Sequence, residues 1–161
     1  MTEFVGRKFA GPGTQIAYEK SLGRFLVAFN RAENYVRETV KLSLKSLGRE
    51  DFWNELKSSG LLHQARNLEL LALAQKDFPE TDYAFIKDLN IIRNTLAHGH
   101  FDQDLFSEEY KIVGKDRDRK HTIEEIDAWT MRTEDFSRDL ELMIMDYFFD
   151  AHFDPELEGE S

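Results

Sequence analysis

Between Gln15 and Leu47 the apolar residues Leu22, Phe25, Leu26, Phe29, Tyr35, Val36, Val40, Leu44 and Leu47 recur at intervals of three and four, with polar side chains between them. That spacing lines one face of an α-helix. Unbroken, the helix would be about 50 Å long at about 1.5 Å per residue. Thr14 offers its cap and Gly48 its stop, while Gly6, Gly11, Pro12 and Gly13 make residues 1–13 read as a loose arm. Asp51 to Lys57 reads as a short helical piece carrying Phe52, Trp53 and Leu56. A further helix is expected from Leu61 to Gln75, with Leu62, Ala65, Leu68, Ala72 and either Leu71 or Leu73 facing the core.

Pro79, tolerated in a first turn, opens a third stretch holding Tyr83, Ile86, Leu89, Ile92 and Leu96, and Gly99 is placed to end it. The helical period then disappears. Tyr110 to Val113 and the charged run from Gly114 to Lys120 suggest a small hairpin or an ordered loop. Thr122 and Glu125 form a capping-box pair, so a last long helix starts near Ile123 and carries Ile126, Trp129, Phe136, Leu140, Ile144 and Tyr147. The fold class expected is all-α: an up-and-down bundle of four main helices plus a short helix, with the hairpin or loop before the last helix. Residues 14–153 would form this domain, and the acidic tail 154–161 has too little apolar content to stay ordered.

Composition narrows the chemistry. A chain of 161 residues is of single-domain size, and 13 Phe supply the apolar material for a core. With no cysteine there is no disulfide, thiolate metal site or cysteine nucleophile. His63, His121 and His152 have no partners at metal-ligand spacing, so neither a metal nor a cofactor is expected. No signal-like or membrane-spanning apolar run occurs, and a cytoplasmic protein without membrane attachment is the expectation.

The formal charge of −10 would argue against a nucleic-acid partner if it were evenly spread. It is not. From Glu134 to Glu160 there are ten acids against one base, Arg138, which leaves 21 acids and 20 bases for everything else. Most of the chain is therefore near neutral, and a polyanion could meet it away from the last helix.

Polar residues gather at the end of the third stretch, in Arg93-Asn94-Thr95-Leu96-Ala97-His98-Gly99-His100. Asn94 and His98 are four apart and share a helix face, which Arg93 reaches from about 100° round the axis. His98 falls in the last turn, where the helix dipole favours a cation. This hexapeptide, Arg93 to His98, resembles the motif of the HEPN superfamily: an Arg, then a polar residue that is often Asn, and a His after four to six intervening residues. HEPN domains are small all-α bundles with the motif at a helix end.

The resemblance implies a homodimer whose cleft receives one Arg and one His from each copy, and in many members a metal-independent ribonuclease, including toxins and phage-defence effectors. On that basis Arg93, Asn94 and His98 are the candidate catalytic residues. Arg93 would pair with phosphate oxygens, His98 would move protons and Asn94 would orient one of them. His100 fits the looser spacing and is a second candidate imidazole. It also stands where family toxins that partner a nucleotidyltransferase antitoxin often have a Tyr, so the hydroxyl that would accept AMP is missing. Lys111, Lys115, Arg117, Arg119 and Lys120 could hold flanking RNA phosphates. An antitoxin or another protein partner remains compatible with the family.

Other readings stand beside this one. Arg93 could pair with a carboxylate on a neighbouring helix, His98 could cap terminal carbonyls, and the basic run could be a solvated turn. Other HEPN members are non-catalytic dimeric modules that bind a nucleotide, RNA or protein. A third reading is a regulatory subunit that masks another protein. Geometry separates the first two, since catalysis needs an open Arg93 and His98 while a scaffold can bury them in ion pairs.

Overall fold

A computed structural model describes residues 12–98, 100–103, 110–113 and 120–149, with side chains described over 13–97 and 121–149. The protein is an all-α helical bundle: α1 (Pro12–Ser46), the short α2 (Trp53–Leu56) preceded by a 3-10 turn at Glu50–Phe52, α3 (Leu61–Leu73), α4 (Tyr83–His98) and α5 (Ile123–Ile144). α5 runs on into a π-helical turn, Met145–Phe149. Strands β1 (His100–Gln103), β2 (Tyr110–Val113) and β3 (Lys120–His121) form a small antiparallel sheet in the order β1-β2-β3. The stretch read as a hairpin or loop thus also pairs with the residues just before α5. Of the arm expected over residues 1–13, Pro12 and Gly13 belong to α1, and residues 1–11, like the tail 154–161, lie outside the described residues.

Local sequence sets several of the helix ends. α1 begins at Pro12, ahead of Thr14, because a first-turn residue needs no N–H. It ends at Ser46, two residues ahead of Gly48, whose φ of +67° belongs to the left-handed region. Gly48 N–H donates to Lys45 O at 2.9 Å and Arg49 N–H to Leu44 O at 2.8 Å, the paired bonds of a Schellman cap. α4 starts at Tyr83, four residues beyond Pro79, because the Asp82 carboxylate accepts from Phe85 N–H at 2.8 Å and so caps the helix there. At α5 the capping box is present: Glu125 N–H donates to Thr122 Oγ1 at 3.3 Å and Thr122 N–H to Glu125 Oε2 at 3.2 Å.

Two compact units can be distinguished, Met1–Asn30 with Asp88–Thr133 and Arg31–Lys87 with Glu134–Ser161. In the first, Tyr18, Phe25 and Phe29 of α1, Leu89, Ile92 and Leu96 of α4, and Ile126 of α5 are buried. Ser21 is buried too, and its hydroxyl donates to the Asp127 carboxylate. In the second, Val36, Val40, Leu44, Leu61, Leu68, Ile86, Leu140, Ile144 and Phe148 are buried. Aromatic rings there meet edge-on or tilted, Phe85 with Phe136 at 5.0 Å and Phe78 with Tyr147 at 5.2 Å.

Several helix faces differ from the apolar spacing. Thr39, Thr130 and Thr133 are fully buried because each hydroxyl donates to the carbonyl four residues earlier, at 2.7, 2.9 and 2.7 Å. Gln64 is buried because its amide donates to Leu56 O, closing the end of α2 against α3. Leu62 and Leu73 are exposed instead, which leaves Leu71 as the half-buried member of the Leu71/Leu73 pair. The π turn widens the last turn of α5, so Phe148 takes the inward position and Tyr147 lies half-buried beside it.

Candidate active site

Arg93 sits in α4 directly after the buried Ile92, and that adjacency fixes where its stem starts. The residue is half-buried. Its guanidinium lies over the Phe29 ring of α1, with Cζ 5.6 Å from the ring centroid. Arg93 Nη1 also donates to Asn94 Oδ1 at 3.2 Å. Among the described residues no carboxylate pairs with this guanidinium. A neutral amide and a ring face orient it without cancelling its charge.

Asn94 is exposed, and so are Ile91 one turn before it and Ala97 after it. Thr95 turns its hydroxyl back to Ile91 O at 3.0 Å, which leaves Asn94 as the outward polar group of this turn. His98 is the last residue of α4, so its backbone position is four residues from Asn94 on the same helix face. Its side chain lies outside the described residues.

The remaining candidates fall on the sheet that follows. His100 opens β1 and pairs with Val113, which pairs on its other side with Lys120 of β3. Twenty residues of sequence are thereby brought to one row of three strands, spanning about 10 Å at the usual interstrand spacing. Lys111 pairs with Asp102 in another row. The side chains of His100, Lys111 and Lys120 lie outside the described residues, as do Lys115, Arg117 and Arg119 altogether.

Sequence spacing gave no hint of Phe29 as a platform for Arg93, because the two are more than sixty positions apart and Phe29 reads as one more core residue. The other unforeseen contact is at His121, whose side chain is nine-tenths buried. Its Nδ1 lies 3.4 Å from Glu125 Oε2, and its buried Nε2 has no hydrogen-bond partner among the described residues. Glu125 thus serves the helix cap and the imidazole together. Among the described residues no group of three or more His, Asp or Glu side chains is arranged to hold a metal ion. No helix among them is long and apolar enough to cross a membrane.

The chain matches no protein-family model, no curated protein and no solved structure. The family resemblance therefore rests on the Arg93–His98 motif and on its place at the end of a helix in an all-α bundle.

Proposed function

We propose that this protein is a HEPN-type endoribonuclease: a cytoplasmic homodimer that cleaves RNA without a metal ion, in toxin or phage-defence work. The observation that carries the reading is the state of Arg93, half-exposed, oriented by Phe29 and Asn94, and unpaired with any described carboxylate. An arginine serving only the fold gains most from an ion pair, whereas one that receives a phosphate keeps its charge uncompensated.

The reaction is transesterification. The ribose 2′-oxygen attacks phosphorus as the bond to the 5′-oxygen breaks, giving a 2′,3′-cyclic phosphate and a free 5′-hydroxyl. One His98 imidazole takes the 2′ proton, and the imidazole of a second copy, already protonated, gives a proton to the leaving oxygen. Arg93 stabilises the extra negative charge on the pentacoordinate phosphorane, and Asn94 holds Arg93 in line. One copy cannot be base and acid in the same step, so the reading requires the dimer.

The test is incubation of the purified chain with mixed RNA in EDTA, beside Arg93→Ala and His98→Ala. Cleavage ending in cyclic phosphate, lost in both variants, is the expected result. Cleavage that persists in both, or a chain that stays monomeric at micromolar concentration, would overturn the assignment. The engagement of Arg93 by Phe29 and Asn94 also suits the non-catalytic module, for which RNA would bind without being cut.

A further inference from the structure

A groove of about 440 Å³ in the unit containing Arg31–Lys87 and Glu134–Ser161 is lined by Pro79, Asp139, Leu142, Met143, Asp146 and Tyr147. Asp139, Leu142 and Met143 follow one another at i, i+3 and i+4 along the end of α5, and Asp146 stands at i+7 in the π turn that continues it. An apolar pair is thus bracketed by two carboxylates about 10 Å apart along the helix axis. Leu142 is 56% exposed, a large apolar side chain left to solvent between charges.

The groove is built rather than incidental. Tyr147 OH donates to Lys76 O at 2.9 Å, and Phe78 meets the Tyr147 ring edge-on at 5.2 Å, which pins the loop bearing Pro79 to the end of α5. Within that loop Asp77 holds a φ of +54°, a left-handed backbone that costs a non-glycine residue about 1 kcal/mol or more. The π turn at Met145–Phe149 sets the orientation of Tyr147 on the opposite side. Left-handed residues and π turns both gather at functional sites.

Charge decides the occupant. No basic residue lines the groove. Arg138, the one base in the acidic stretch, is engaged with Asp135 at 3.2 Å. Asp139 and Asp146 have no ion-pair partner among the described residues. We infer that this groove docks a cationic amphipathic helix of a partner protein, one that places two leucine-like side chains on Leu142 and Met143 between two arginines or lysines seven residues apart. A facing helix has the same rise per residue, so cations at i and i+7 meet both carboxylates while residues i+3 and i+4 fill the floor.

The probe is a fluorescein-labelled helical peptide carrying Arg-x-x-Leu-Leu-x-x-Arg, with Ala and Gln at the x positions, titrated with the full chain by fluorescence anisotropy. Micromolar binding is expected, weakening as salt rises. The double variant Asp139→Asn/Asp146→Asn should bind about tenfold more weakly, the sum of two exposed ion pairs. Leu142→Gln should lose a similar factor. Glu124→Gln/Glu134→Gln, which removes two acids outside the groove and leaves Asp135 on Arg138, should bind like the parent.

Equal affinity for a peptide with Glu in place of Arg would overturn the inference. So would an equal loss in the Glu124/Glu134 variant, which would mean diffuse attraction to an acidic face, or no binding at millimolar peptide. Self-association of the chain that Leu142→Gln abolishes in sedimentation would assign the groove to a second copy and also overturn it. Circular dichroism melts of each variant establish that the fold is retained.

Discussion

The Arg93 guanidinium lies over the ring of Phe29, 5.6 Å from Cζ to centroid, and this contact joins the motif on α4 to the buried face of α1. The ring holds the cation by its electron-rich face without accepting a proton or cancelling its charge. Removing the ring while keeping the apolar bulk separates its orienting role from its packing role. Phe29→Leu trims a buried side chain and should cost about 1–2 kcal/mol of stability, as moderate large-to-small core changes do. RNA cleavage should fall about fivefold, following a cation–π contact of about 1 kcal/mol, and Phe29→Tyr should restore it. Single-turnover cleavage alongside thermal melts reads both, and a fall in activity no larger than in an unrelated core variant of equal stability would show that Phe29 only packs.

Ser21 and Asp127 make the next contact that matters to this unit. The serine is buried and its hydroxyl donates to the carboxylate, an anion-assisted bond between α1 and α5. Ser21→Ala leaves the carboxylate without that donor and should cost about 1–3 kcal/mol in chemical denaturation. Asp127→Asn keeps an acceptor and should cost less, and a double-mutant cycle should return a coupling of about 1 kcal/mol or more between them.

Alkaline pH should weaken the fold. Tyr18 is fully buried and burial pushes its hydroxyl well above the ordinary tyrosine range; Tyr83 is raised mainly by burial, and Tyr35 by burial and then by its hydrogen bond to Glu141. A raised pKa gives stability that is complete below the unfolded value of about 10 and is lost as pH climbs toward the folded one. Above about pH 10 the unfolded chain releases protons that the folded chain keeps, so unfolding gains up to about 1.4 kcal/mol per pH unit from the fully buried Tyr18 and less from the partly exposed tyrosines. Tyr18→Phe should flatten the fall in melting temperature between pH 9.5 and 11 relative to the parent. An unchanged slope would place the alkaline loss elsewhere.

The helices were legible because their signals are local. Gly48 at the end of α1 and the Thr122–Glu125 box at the start of α5 act within a few residues, and the structure uses them as the sequence implies. α4 starts at Tyr83 rather than at Pro79 because both Pro79 and Asp82 suit a first turn, and the Asp82 carboxylate bond to Phe85 N–H decides between them. Long-range relations left no mark in the spacing. Phe29 under Arg93, Ser21 on Asp127, and the groove between Pro79 and α5 each join residues more than fifty positions apart. Buried threonines were invisible for another reason: a hydroxyl bonded to its own helix behaves as an apolar group, but it reads as polar in sequence.

Glu125 links the cap of α5 to the sheet, since one oxygen, Oε2, accepts from Thr122 N–H at 3.2 Å and lies 3.4 Å from His121 Nδ1. Three substitutions divide these roles. Thr122→Ala removes the reciprocal half of the box and should cost about 1 kcal/mol, a few degrees in melting temperature for a domain this size. Glu125→Gln keeps a carbonyl oxygen that can accept from Thr122 N–H, so it should cost less than Thr122→Ala unless the charge beside the buried His121 ring contributes. Glu125→Ala loses both contacts and should be the most damaging of the three. Melts of the set on the full chain give the order, and Glu125→Gln falling level with Glu125→Ala would show that the carboxylate acts mainly through its charge on the imidazole rather than through the helix cap.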